Sequence, residues 1–372
     1  MTRQNAPASL RSLLFAAGLI LQLATPPVPA QDPAPYTLHV YTNLIQISTL
    51  AVTEDLKQLP PIPLKDFNIS LDSGPTFHPS RIHREGDDPI DLAILLDASG
   101  DQDILLQNFG DALATLTPGY LHPQDHVSIY AVDCVLVRSF DDVPADHGKF
   151  PIGVKSALTS PALHGTKTKA ACANHLHLWD AIIRISIDLS NSPDRRVLLV
   201  VSDGKDTQSD YKWTDAMQAL VSQSIALFAF QDTYQFSKSY TISPSFEARR
   251  SNLLATGQGS PEDLFKELCM SNGGTILATP KASVAQNLQK LITLLRDRYI
   301  LEFPRAEKSE PGLHNISVTV PNPTAFIAIT GVLVPMPDAK VLADPTTIPT
   351  VTPSQATFGN RRPINPTHQP DP

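Results

Sequence analysis

The chain has 372 residues, 37 of them acidic and 29 basic, for a formal net charge of −8. An acidic balance with no basic block argues against nucleic acid or anionic lipid as the partner. The length suits one large domain with a smaller addition.

In chain order, Arg3 and Arg11 precede an apolar stretch from Leu13 to Ala24, and Val28-Pro29-Ala30 supplies small residues for cleavage. This is the pattern of a secretory signal peptide over residues 1–30, cut before Gln31. The stretch is too short to span a bilayer, and no later segment is longer. The expectation is a secreted or periplasmic protein with no integral membrane segment after cleavage and, lacking a Cys beside the cut, no lipid anchor. Losing Arg3 and Arg11 takes the basic count from 29 to 27 against 37 acidic residues, a net charge of about −10.

Residues 31–88 form an N-terminal strand segment: an alternating, β-branched stretch from Tyr36 to Ala51, a Pro-rich link, a strand from Phe67 to Leu71 and a turn at Asp72-Ser73-Gly74. From Pro89 strands and helices alternate. Strands are predicted at Ile90–Leu96, His126–Val132, Val135–Phe140, Val197–Val201, Ile225–Phe230 and Thr275–Leu277. Helices are predicted at Asp103–Leu116, Leu176–Leu189, Thr214–Ser222, Pro261–Met270 and Val284–Leu295. Gln235 to Gly259 has no clear period and reads as a long surface loop. This alternation over residues 89–298 predicts an α/β fold, a doubly wound, mostly parallel sheet with helices on both faces. Strands at Tyr299–Phe303, Ile316–Val320 and Phe326–Val334, within residues 299–334, pair with the N-terminal strands into a small β unit. Residues 335–372 are Pro-rich and read as disordered or extended.

Two of the strands carry chemistry. Leu92-Ala-Ile-Leu-Leu-Asp97-Ala-Ser99-Gly-Asp101 and Val197-Leu-Leu-Val-Val-Ser-Asp203-Gly-Lys-Asp206 are continuous apolar runs, each delivering an acidic residue as it ends. Buried parallel strands have that composition, and such sheets hold ligands at the carboxyl ends of their strands. Asp97, Ser99 and Asp203 are thereby expected to converge on an oxygen-lined pocket of the kind that suits Mg²⁺, Ca²⁺ or Mn²⁺.

Asp-x-Ser-Gly after one hydrophobic strand and Ser-Asp-Gly after a later one resemble the von Willebrand factor type A (VWA) domain over roughly residues 89–298. The flanking layout resembles VWA-related secreted proteins of acidobacteria, with Leu64-Lys65-Asp66-Phe67 before the domain and Tyr299-Ile300-Leu301 after it. The resemblance implies a metal-ion-dependent adhesion site built on Asp-x-Ser-x-Ser, a Thr and an Asp. Asp97, Ser99 and Asp203 match; Asp101 stands where the family has its second Ser; and Leu176 falls on the Thr position, which it cannot serve as a ligand. Thr166 and Thr168 lie upstream of it. A third carboxylate satisfies more of a cation's charge internally and weakens its pull on an acidic partner. The function implied is an exported binding module for a protein partner, acting in interaction or adhesion through a partly degenerate site. Metal-independent interaction at the cell envelope is the alternative, and metal-dependent hydrolysis by Asp97, Asp101 and Asp203 the minor one. Nucleophile elbows, zinc-protease motifs and phosphate-binding loops are absent from the sequence, so no catalytic residues are assigned and the chain reads as a binder, not an enzyme.

Three cysteines in an exported chain permit one internal bridge. Cys134 follows a strand and Cys172 precedes a helix near the same sheet end, which predicts a Cys134–Cys172 disulfide; Cys269 reads as a buried thiol. His164, His175 and His177 offer a zinc reading against that of ordinary surface histidines. Asp206 reads as a solvated loop residue or turn former.

Overall fold

A computed structural model describes residues 39–41, 44–99, 103–146, 148–163, 176–232, 250, 252–304, 312–334 and 347–349. The first described strand, β1 (His39–Tyr41), pairs in parallel with the last, β16 (Thr347–Pro349), and the two belong to a unit of their own. Within the Pro-rich tail, then, residues 347–349 are extended and paired. Residues 1–30, read from the sequence as a signal peptide, and the rest of the tail lie outside the described residues.

The second unit contains the predicted sheet. Strands β5 (Ile90–Asp97), β6 (His126–Val132), β7 (Leu136–Pro144), β8 (Arg195–Val201), β9 (Ala226–Gln231) and β10 (Ile276–Ala278) lie in the order β10-β9-β8-β5-β6-β7. All pairings are parallel except that of the edge strand β7 with β6. Helices α1 (Asp103–Leu106), α2 (Phe109–Ala114), α3 (Phe150–Leu158), α4 (Leu178–Leu189), α5 (Trp213–Ser222), α6 (Pro261–Ser271) and α7 (Val284–Arg296) connect them. The pleat sends alternate strand residues to opposite faces. Leu92, Ile94 and Leu96 therefore pack with Phe109, Phe150 and Leu291, while Ala93 and Leu95 pack with Ile182, Leu220 and Phe265. Covering both faces makes every residue of β5 a buried one, and each Leu or Ile so buried contributes about 1.5–3 kcal/mol.

The flanking strands form an antiparallel sheet in the order β14-β2-β11-β4, from β2 (Leu44–Thr53), β4 (Arg81–Arg84), β11 (Tyr299–Pro304) and β14 (Ala325–Ile329). Strand β3 (Asn68–Leu71) pairs with β13 (Ile316–Thr319), and β12 (Gly312–His314) with β15 (Val332–Val334). One face of β2, Ile45 and Ile47, packs with Phe67, Leu301 and Phe303. The other, Leu50 and Val52, joins the core of the doubly wound sheet with Phe326 and Ala328. The small β unit thus shares its hydrophobic interior with the central domain. The buried Arg298–Glu85 ion pair (Nη2–Oε2 2.8 Å) and Arg296 on Asp125 (2.6 Å) reinforce that junction.

Several predicted elements need correction. The helix expected over Asp103–Leu116 is two pieces, because Asn108 leaves helical geometry (φ −121°, ψ 18°), as suits a residue whose side chain competes for backbone hydrogen bonds. Helix α3 and strand β4 were not predicted. Pro151 and Gly153 look like breakers, yet Pro151 sits in the first turn, where a missing N–H does no harm. Gly153 is needed for close approach, since a Cβ there would lie 2.7 Å from the Phe140 ring. Residues 252–256, expected in a surface loop, are helical and bury Leu253. Among the described residues, no helix is long and apolar enough to cross a membrane.

Candidate functional site at the strand ends

Strands β5 and β8 are adjacent and in register, with Leu96 opposite Val201, so the chain leaves both at the same sheet edge. There the Ser202 hydroxyl donates to Asp97 Oδ2 at 2.6 Å. Asp97 Oδ1 accepts both the main-chain N–H (3.0 Å) and the hydroxyl (2.6 Å) of Ser99. The Gly204 N–H donates in turn to Ser202 Oγ at 3.0 Å, orienting that hydroxyl toward Asp97. Asp97 is wholly buried. Burial raises its carboxyl pKa; the serine hydrogen bonds oppose the rise, and the nearby negative charge of Asp203 adds to it. Ser99 and Ser202 thus meet on Asp97, and Asp203 lies near enough to be felt electrostatically. The part played by Ser202 was missed, although it precedes Asp203 directly in the apolar run's exit.

Asp203 is 5% exposed. Its Oδ1 accepts the main-chain N–H of Lys205 at 2.9 Å, its Oδ2 meets the Lys205 ammonium, and its carbonyl accepts Gln231 Nε2 at 2.9 Å. Gly204 makes this possible. Its φ of +81° reverses the chain, and a Cβ would lie 2.3 Å from Phe265.

The following loop is fastened to the start of α4 by reciprocal carboxylates. Asp206 Oδ1 accepts from Leu178 N (2.8 Å) and Trp179 N (3.3 Å), while Ser209 Oγ accepts from Trp179 N (3.0 Å) and Asp180 N (3.2 Å). Asp180 accepts in return from Asp210 N and Tyr211 N, both at 3.1 Å. Asp206 also forms the turn expected of it, accepting the Ser209 N–H at 3.2 Å, but it is more than a solvated loop residue. It serves as a helix cap supplied from a distant segment, satisfying N–H groups that a helix start leaves open. Thr207 Oγ1 receives the Leu176 N–H at 2.6 Å, so the leucine at the family's Thr position is buried and held by its backbone.

Whether this edge suits a divalent cation turns on charge and donors. Ser99 keeps oxygen lone pairs while donating to Asp97, which favours an ion. Against it, both Asp203 oxygens are engaged by Lys205, and Leu176 supplies no ligand. Among the described residues, no group of three His, Cys, Asp or Glu side chains could hold a metal. As arranged, the described residues do not fit a divalent ion. Asp101, Thr166, Thr168, His164 and His175 lie outside the described residues. His177 contacts Asp180 (Nδ1–Oδ2 3.3 Å). Cys134 is disulfide-bonded and Cys269 is a free, buried thiol whose pKa burial raises; Cys172 lies outside the described residues.

Strand order and pairing define this as a doubly wound α/β domain with a mostly parallel, Rossmann-like sheet. No protein-family model matches the chain, and no curated protein is similar to it. Solved structures it is similar to include a von Willebrand factor type A protein from Catenulispora acidiphila, at 10% identity and TM-score 0.41 over 78% of this chain and 62% of that one. Another is proximal thread matrix protein 1 from the mussel byssus with a zinc-occupied MIDAS motif, at 14% identity and TM-score 0.38 over 57% and 49%. A third is the conserved hypothetical protein BatB from Bacteroides thetaiotaomicron, at 13% identity and TM-score 0.36 over 55% and 98%. The chain spans about half the length of the mussel chains it matches.

Proposed function

We propose that the chain is an exported VWA-like interaction module that binds a protein partner at the carboxyl edge of its central sheet. One observation carries the reading. The segments leaving β5, β6 and β8, at the sheet edge that carries Asp97 and Asp203, bear the exposed apolar side chains Ile104, Val135 and Tyr211 (43%, 45% and 57% exposed). Exposed apolar side chains on an otherwise polar edge are what protein recognition uses. Within this proposal the protein acts as a binder and not as an enzyme.

A photo-crosslinking residue at position 135 or 211 tests this. The expected result is one protein adduct, with 2 mM EDTA present or absent (roughly a chelating excess). A label at Ile187, exposed on α4 away from this edge, should give none. Equal labelling from all three positions would remove the reading. Amino-terminal sequencing of the product tests export and should begin at Gln31.

A second, metal-coupled version follows from the convergence of Asp97, Ser99 and Asp203, with Asp101 as a further donor to Mg²⁺, Ca²⁺ or Mn²⁺. It requires Lys205 to leave Asp203, and it predicts that the adduct is lost in EDTA.

A further inference from the structure

We infer that the Lys205 ammonium is the resident cation at this sheet edge, tethered to the chain, and that it keeps a divalent ion off Asp203. The inference rests on the proposed site and says which of its two versions the native protein follows.

Three observations carry it. Lys205 reaches Asp203 through both its main-chain N–H and its ammonium, so the two carboxylate oxygens are taken by one residue. The contact is built in by Gly204, whose positive φ and packing on Phe265 leave no room for a side chain. Asp203 is also buried while the Lys205 side chain is 46% exposed, so the lysine stands on the solvent side of the carboxylate it pairs with. The neighbouring Asp97 is served by the hydroxyls of Ser99 and Ser202. A divalent ion approaching Asp203 must then expel a positive charge from contact with a carboxylate that water screens little. It gains no donor at Leu176 in exchange.

The consequence is a metal-type recognition edge in which a side chain supplies the positive charge. Removing that charge should convert it into a divalent-ion site made of Asp97, Ser99 and Asp203. The chain would thus be one substitution away from metal dependence.

Calorimetric titration of the full mature chain with MnCl₂, MgCl₂ and CaCl₂ tests this in the wild type, Lys205→Gln, Lys205→Arg and Lys205→Gln/Asp203→Asn. Lys205→Gln should bind Mn²⁺ roughly tenfold or more tightly than the wild type. Lys205→Arg, which keeps the charge, should behave like the wild type, and the double variant should lose the gain. In EDTA, Lys205→Gln should melt below the wild type, and Mn²⁺ should restore its melting temperature while leaving the wild type's unmoved. Equal affinity in wild type and Lys205→Gln, absence of binding in both, or a gain that survives Asp203→Asn would each overturn the inference. None of these outcomes alters the crosslinking from positions 135 and 211, so partner docking stands or falls separately.

Discussion

The Ser202 hydroxyl donates to Asp97 Oδ2 at 2.6 Å although 105 residues separate the two in sequence. The contact exists because β5 and β8 are neighbours in register, and it gives a buried carboxylate a short hydrogen bond. Removing a donor from a buried, charged acceptor exposes that acceptor's desolvation. Ser202→Ala should therefore lower stability by about 1.5–3 kcal/mol, read as a reduced urea midpoint. An unchanged midpoint would mean that the bond contributes nothing net.

Gly204 is under two constraints, its φ of +81° and the Phe265 ring. Gly204→Ala should cost roughly 2–4 kcal/mol, from left-handed backbone strain plus overpacking. Gly204→Ala combined with Phe265→Leu should recover part of the loss. Failure to recover any would assign the whole cost to the backbone.

Asp206 caps α4 from another segment. Asp206→Ala should cost about 1–2 kcal/mol, the usual effect of losing an oxygen cap. Because Asp180 holds the same loop from the opposite side, the double change Asp206→Ala/Asp180→Ala should cost less than the sum of the single ones. Simple additivity in denaturation midpoints would separate the two clasps.

Asp91 gives a pH dependence of known sign. Burial raises its pKa to about 6, against an opposing hydrogen bond from Ser192. Below about pH 3 the group is protonated in both folded and unfolded chains. As pH rises toward 6 the unfolded chain releases the proton first, so stability falls, and the loss is complete above about 6. Asp91→Asn carries no such penalty. It should exceed the wild type at pH 7.5 by on the order of 1–3 kcal/mol and match it near pH 3. Thermal melts at the two values should show the gap only at the higher one.

Arg298 and Glu85 form a buried ion pair between the flanking strands and the entry to the central sheet, with side chains 2% and 3% exposed. Arg298→Met alone should cost about 3–5 kcal/mol by stranding Glu85. Arg298→Met/Glu85→Met should be far milder, since desolvated pairs repay little. Equal loss in both variants would mean that the pair's own attraction dominates.

Much of the fold was legible along the chain. Leu92–Leu96 and Val197–Val201 show their burial on both faces as unbroken apolar runs, and the helical spacing of Leu178, Ile182, Ile185 and Leu189 shows the face of α4 that is covered. The convergence of Asp97 with Asp203 followed from those runs and the rule for parallel sheets. Helix α3 was hidden by Pro151 and Gly153, whose roles depend on a helix start and on Phe140. Strand β4, Arg81–Arg84, lacks an apolar pattern and exists because β11 offers it backbone partners.

Local pattern alone thus determined most of the strands and helices of the central sheet and which acidic residues stand at strand ends, because periodicity and apolar run length are properties of consecutive residues. Tertiary structure decided what those acidic residues meet: a serine hydroxyl on Asp97, a lysine ammonium on Asp203 and a helix start on Asp206. The physical reason is that hydrogen bonds and charge pairs are set by distances of a few ångströms between side chains. Strand register and the turn at Gly204 establish those distances, and neither is written in the spacing of residues along the chain.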